Sequence, residues 1–219
     1  MKTAIILGSS GLTGSFILEK LIEDNQYGKI ILLNRKKSGI ENSKIEEIIT
    51  DFKNEFNLDS IEKIDSIFSC LGTTRKKTPD LNQYRAIEIE IPFKIATIGL
   101  QKGLKTMHFI SSVGADSKSS NFYLKIKGEA EEKLATLKIS NFNIYRPSLL
   151  IGTRKENRLV EKIFTFIMPL FDPLMFGKLS KYKTMQIENL SRSMISKDNI
   201  DENSAVQIHE YESIMKFIA

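Results

Sequence analysis

Residues 3–14 read Thr-Ala-Ile-Ile-Leu-Gly-Ser-Ser-Gly-Leu-Thr-Gly, an apolar run cut off by glycines at Gly8, Gly11 and Gly14. The run at 4–7 has the length of a buried strand. Beyond the last glycine, Ile17, Leu18 and Leu21 recur at helical spacing, so the segment is predicted to be strand, tight turn and helix. Each glycine then has a separate duty. Gly8 permits the sharp turn, Gly11 lets backbone N–H groups approach a pyrophosphate, and Gly14 lets the helix close on the strand. The helix start offers unpaired N–H groups and the positive end of its dipole to an anion. A glycine triplet alone says little, but the strand and helix that it requires are both legible here. The reading is a dinucleotide site, against the alternative of an architectural turn.

This opening predicts an α/β chain with a doubly wound, mostly parallel sheet. With 219 residues, 41% apolar and 27% charged, there is material for one substantial core. One domain over 1–219 is expected, with a cofactor part over about 1–150 and a substrate-side part over about 151–219. An excess of 32 basic over 27 acidic residues suits an anionic ligand. No basic stripe or aromatic platform accompanies it, so no nucleic-acid partner is expected. The single cysteine, Cys70, excludes an internal disulfide and fits a reducing compartment. The first strand begins at once, leaving no room for a signal peptide, and a cytoplasmic location is expected.

The second strand, at 29–33, leads into Asn34-Arg35-Lys36-Lys37. An NAD site usually places a carboxylate there for the ribose 2′-hydroxyl, whereas a guanidinium grips a 2′-phosphate. NADP(H) is therefore preferred over NAD(H), the alternative being a solvated basic loop. A third strand is expected at 45–51, with Asp51 either near the adenine or capping the next element. A short helix at 58–63 and a fourth strand at 64–71 come after it. Leu71 and Gly72 should pass under the cofactor. In the expected order 3-2-1-4-5, the basic clusters 35–37 and 75–77 share one carboxyl rim with the glycine loop. Cys70 reads as a small buried residue, because no histidine partner can be placed near it.

A long helical pattern at 80–102 turns Tyr84, Ile87, Ile91, Ile95 and Ile98 inward, with Pro92 as a kink or break. The fifth strand, 105–111, closes in Ser111-Ser112-Val113-Gly114-Ala115. Farther on, Tyr123, Lys127, Ala130, Leu134 and Leu137 fall on one helical stripe facing the sheet. A lysine there needs a partner or a task. A sixth strand at 142–145 runs into Arg146-Pro147-Ser148-Leu149-Leu150, followed by a basic loop at 154–158. The apolar stretch 163–179 is broken by Pro169, Asp172 and Pro173 and is too short to span a bilayer. It reads as a substrate-side lid, a core helix or the contact of a homodimer, with an interfacial membrane segment as the minority alternative. A helix at 183–197, a short strand near 205–209 and a closing helix complete the chain.

The glycine loop, Ser111 and Ser112, and Tyr123-x-x-x-Lys127 together resemble the short-chain dehydrogenase/reductase superfamily, built on the Rossmann fold. The likeness is nearest to its atypical branch, the NADPH-binding Tat-interacting-protein oxidoreductases. Cys70-Leu-Gly-Thr-Thr-Arg75, Ser111-Ser-Val-Gly-Ala-Asp116 with Ser119-Ser-Asn-Phe-Tyr-Leu-Lys125 and Lys127-Gly-Glu129, and Arg146-Pro-Ser-Leu-Leu150 carry it. The resemblance implies phosphate contacts from Ser10, Gly11, Leu12 and Thr13, and 2′-phosphate contacts from Arg35 and Lys36. It also implies Leu71 and Gly72 at the cofactor's middle, Leu150 by the nicotinamide and Arg158 closing over it.

The chemistry stands on its own terms. A phenol with a pKa of about 10 is too weak an acid at neutral pH, and a neighbouring ammonium lowers that value. Tyr123 is then the acid/base, Lys127 the charge that tunes it and the holder of the nicotinamide ribose, and a serine the donor to the substrate oxygen; the resemblance implies Ser112, the second of the pair, with Ser111 as fallback. The expected activity is hydride transfer between NADP(H) and a small carbonyl or alcohol. A non-catalytic NADPH sensor or protein-interaction module competes with it. Sugar-nucleotide epimerase or dehydratase chemistry also competes, although the short C-terminal region leaves little room for a nucleotide-sugar domain.

Overall fold

The computed structural model describes residues 1–52, 58–152, 175, 177–200 and 205–218. Its first strand, β1 (Lys2–Leu7), runs between β2 (Tyr27–Asn34) and β4 (Ser66–Ser69). The remaining long strands are β3 (Ile45–Ile49), β5 (Thr106–Ile110), β6 (Asn141–Tyr145) and β9 (Val206–His209). Their order is β3-β2-β1-β4-β5-β6-β9, and every pairing is parallel. The expected order is thus found and extended by two strands. Chain direction across the sheet reverses between β1 and β4, which opens a crevice at their carboxyl ends.

Alternation along β1 and β2 feeds two cores. Ile5, Leu7, Ile31 and Leu33 face one side, and Ala4, Ile6, Ile30 and Leu32 the other, all buried. A strand covered on both faces has no polar side to show, which is why residues 4–7 read as an unbroken apolar run. Helices α1 (Leu12–Glu23), α5 (Ile187–Asp198) and α6 (Tyr211–Lys216) cover one face through Ile17, Leu21, Leu190, Met194 and Ile214. On the other face lie α3 (Ile91–Gln101) and α4 (Phe122–Ala135), through Ile95, Ala96, Ile126, Ala130 and Leu134.

The helix leading into α3 departs from expectation. It starts at α2 (Leu81–Arg85), where the Asp80 carboxylate accepts from the Gln83 N–H at 2.7 Å, and then widens into a π-turn over Ala86–Glu90. Pro92 is the cause. Its ring would collide with the carbonyl four residues back and it has no N–H to offer, so the turn before it expands and Ile91 N–H reaches back to the Ala86 carbonyl. The expanded turn shifts the inward face. Tyr84, Glu88, Ile89, Ile91 and Ile95 are buried, while Ile87 and Ile98 are only partly covered.

Other boundaries move as well. Residues 58–63 form a single turn and no helix, because Ile64 N–H bonds the Lys102 carbonyl and draws the chain into extended form. β4 has four residues, not eight. The helix expected from 183 begins at Ile187, since β8 (Met185–Gln186) pairs with β7 (Leu150–Ile151) in a separate two-stranded sheet. The basic loop at 154–158, with Arg158, and most of the apolar stretch 163–179 lie outside the described residues. No helix among the described residues is long and apolar enough to cross a membrane.

Candidate functional site

The glycine loop sits at the crevice. Gly8 adopts φ +81°, and a Cβ there would lie 2.9 Å from the Cys70 carbonyl oxygen at the end of β4. Gly11 N–H donates to the Gly8 carbonyl at 2.9 Å and opens α1. A Cβ on Gly14 would lie 2.2 Å from the Gly8 oxygen, so only glycine lets the helix approach this closely. No side chain caps the start of α1, and the first N–H groups of that helix, around Leu12 and Thr13, face the crevice mouth beside exposed Ser10. A tight glycine cradle under an uncapped helix start fits a pyrophosphate.

At the next carboxyl end, Asn34 is buried and held from two sides. Its Oδ1 accepts from the Ser9 hydroxyl at 2.8 Å, and its Nδ2 donates to Glu47 at 2.7 Å. Glu47 also accepts from the Ser38 N–H at 2.8 Å, closing the loop that carries Arg35 and Lys36. Partial burial works against the Glu47 carboxylate, but the bonds from Asn34 and Ser38 prevail and hold its pKa below the ordinary value. Arg35 and Lys36 are exposed. Sequence reasoning missed Glu47, which sits opposite Leu32 in β3 and reaches Asn34 only through its side chain.

Across the sheet, Leu71 is half-buried and Gly72 exposed. Within the protein, a Cβ on Gly72 would meet nothing nearer than Glu88 Oε1 at 3.7 Å, so the glycine that permits close approach here is Gly8. Cys70 packs against the core, and burial pushes its thiol up to about 12, which removes it as a nucleophile. Arg75, exposed, donates to the Pro79 carbonyl at 2.9 Å and lies over the Phe122 ring.

Lys127 is 4% exposed. Its ammonium donates to the Ile110 carbonyl at 2.9 Å, lies over the Phe109 ring, and pairs with Glu88 Oε2 at 2.8 Å. Burial alone would lower its pKa, but Glu88 and then Tyr123 outweigh that and raise it, so the ammonium stays charged. Tyr123, one turn earlier, is not buried on the stripe as expected. It is 41% exposed at the rim, and its phenol makes no hydrogen bond among the described residues. The Asn121 side chain caps this helix by accepting from Leu124 N–H at 3.2 Å.

The two serines divide. Ser111 is buried and its hydroxyl donates to Glu131, which also receives Arg146 Nε at 3.0 Å and Nη2 at 2.5 Å. That commitment removes Ser111 as a fallback. Ser112 is half-buried and its hydroxyl lies 3.5 Å from the Val113 carbonyl, too long to hold it. Its loop meets α4 where Asp116 N–H donates to Leu124 O at 3.2 Å. A Cβ on Gly128 would lie 2.2 Å from Ser117 N, so this glycine sets the approach of α4 to that loop. Leu150, half-buried in β7, follows the Arg146 segment. Sequence reasoning missed Glu88 and Glu131 and gave Gly128 no role of its own. An isolated glycine inside a helical pattern was a usable signal for Gly128.

No protein-family model matches the chain. Protein HTATIP2 of Rattus norvegicus is 33% identical over 161 residues, covering 72% of this chain and 66% of the rat protein, just under two thirds of its length. Mitochondrial FMP52 of Meyerozyma guilliermondii is 35% identical over 157 residues, covering 70% of this chain and 67% of that protein. Mitochondrial fmp52 of Emericella nidulans is 32% identical over 174 residues, covering 76% and 74%. These mitochondrial relatives overturn the cytoplasmic expectation, which rested only on one cysteine and an early strand. Among solved structures, the UDP-glucuronic acid 4-epimerase of Bacillus cereus in complex with NAD superposes with a TM-score of 0.68 at 14% identity, covering 96% of this chain and 77% of that one. The PhqB reductase domain of Penicillium fellutanum gives 0.67 at 14% identity, covering 97% and 68%. At such identities the structures establish the shared Rossmann fold.

Proposed function

The chain belongs to the HTATIP2/FMP52 family of atypical short-chain dehydrogenases/reductases, and from that premise we propose that it binds NADP(H) in preference to NAD(H) and reduces a small carbonyl compound or oxidises the matching alcohol. One observation carries the catalytic part: a buried, charged Lys127 lies one helical turn from the exposed phenol of Tyr123, beside the loop of Ser112. The cradle of Gly8, Gly11 and Gly14 with Ser10, Leu12 and Thr13 holds the pyrophosphate. Arg35 and Lys36 receive the 2′-phosphate, and no carboxylate follows β2 directly to repel it. Leu71 and Gly72 border the cofactor's middle, with Leu150 on the nicotinamide side.

When bound, the nicotinamide gives or accepts the hydride. The protein's part is the proton. Tyr123 donates it to the substrate oxygen in reduction and recovers it in oxidation. Lys127 favours the phenolate and holds the nicotinamide ribose, and Ser112 donates a hydrogen bond to the reacting oxygen. Tyr123→Phe tests the assignment: turnover should fall by about 10²–10⁴ with NADPH binding intact. Full turnover in that variant would sink it. A non-catalytic NADPH sensor is favoured by one feature, the neutralisation of Lys127 by Glu88. It predicts NADPH binding with no activity that depends on Tyr123.

A further inference from the structure

We propose that Glu88 is a positioning residue for the Tyr123–Lys127 pair: it pins the Lys127 ammonium and offsets its charge, so that only part of that charge acts on the Tyr123 phenol. The proposal rests on the reading of Tyr123 as the proton donor. Glu88 sits within the π-turn over Ala86–Glu90, and such turns often mark functional positions. Its carboxylate is 1% exposed and divided between two tasks. Oε1 accepts from the Thr73 N–H at 2.7 Å, fixing the loop after β4. Oε2 lies 2.8 Å from Lys127 Nζ and has no hydrogen-bonding partner besides that ion contact among the described residues.

A buried carboxylate persists only when compensated, and here the compensating charge is the ammonium that the chemistry needs. The pair acts on Tyr123 as a dipole and not as a bare cation. Other groups share this neighbourhood. Tyr84 faces the same pair, with burial and then Glu88 and Tyr123 pushing its phenol up to about 12 while Lys127 and Arg75 pull against them. The loop carrying Thr73 therefore couples to the proton donor through Glu88, with the Tyr84 hydroxyl donating to the Thr73 carbonyl at 3.4 Å beside it.

Ultraviolet titration of the cofactor-free protein reads this directly. The wild type minus Tyr123→Phe isolates the Tyr123 phenol from Tyr84, and Glu88→Gln minus Glu88→Gln/Tyr123→Phe does the same without the charge. The Tyr123 midpoint should fall by about one pH unit or more in Glu88→Gln, since an uncompensated nearby cation lowers a phenol by that much, and stay near the wild-type value in Glu88→Asp. An unchanged or higher midpoint in Glu88→Gln overturns the proposal. If Glu88→Gln fails to fold, the neutral double variant Glu88→Gln/Lys127→Gln carries the test. A partly offset charge predicts a rise of less than about one unit, and a larger rise would show Lys127 acting uncompensated and overturn the proposal. The titration needs no substrate, so its failure is distinct from a failure of the catalytic reading, which turnover of Tyr123→Phe decides.

Discussion

Gly128→Ala should separate the two halves of the candidate site. A Cβ at this position would lie 2.2 Å from Ser117 N, 2.3 Å from Asp116 C and 2.7 Å from Asp116 Cα, where ordinary contact begins at 3.4 Å. All three are backbone atoms, so no rotamer change relieves the clash, and α4 and the loop must part by about an ångström. The loop is held to α4 by Asp116 N–H to Leu124 O, and Ala115 N–H donates to Ser112 O at 3.1 Å, so the displacement passes to Ser112 through that bond. Overpacking of this kind costs about 1–3 kcal/mol of stability. A reacting group misplaced by 1 Å costs about 10² in rate. Urea unfolding should report the first loss and turnover the second, while NADPH binding at the distant glycine loop changes little. Wild-type stability together with wild-type turnover would refute the reasoning.

Asp198→Asn should destabilise the fold by about 3–5 kcal/mol as an upper figure, since its carboxylate accepts from Tyr27 at 2.6 Å and pairs with His108 at 3.1 Å and partly exposed Lys2 at 3.0 Å. Burial would raise the Asp198 pKa, but His108 and Lys2 prevail and hold it well below the usual carboxylate range. Its contribution is therefore complete above the unfolded value of about 4 and is lost as pH falls below that, so urea midpoints of wild type and variant should converge in acid. Equal convergence toward alkaline pH would contradict this sign. Glu131→Gln, which strips the bidentate contact from Arg146, should cost about 1.5–3 kcal/mol by the same assay and leave NADPH affinity within about twofold.

The parts of this molecule that sequence made legible are those with a local period. Residues 4–21 combine a strand run, spaced glycines and a helical stripe, so the cradle, the strand order and the place of Lys127 could be read from neighbours along the chain. Glu88 could not. Four residues after Tyr84 it lies on the same helical stripe, but a carboxylate there reads as the polar edge of that stripe, and the Lys127 that compensates it comes from a helix far along the chain. The same periodicity draws Tyr123 onto the buried stripe, yet it stands in the first turn of α4 and is exposed there. The cluster of Lys2, Tyr27, His108 and Asp198 joins four separate elements, and each member in isolation reads as an ordinary polar residue. Cellular location left no physical trace that one cysteine and an early strand could supply.

Titration of the purified protein with NADPH and with NADH, followed by nicotinamide fluorescence, bears most directly on the account. It predicts tighter binding of NADPH, with the preference lost in Arg35→Ala through a roughly tenfold to hundredfold loss of NADPH affinity while NADH is unaffected. Failure to bind either nucleotide would reduce the glycine cradle to architecture and remove the oxidoreductase reading with it.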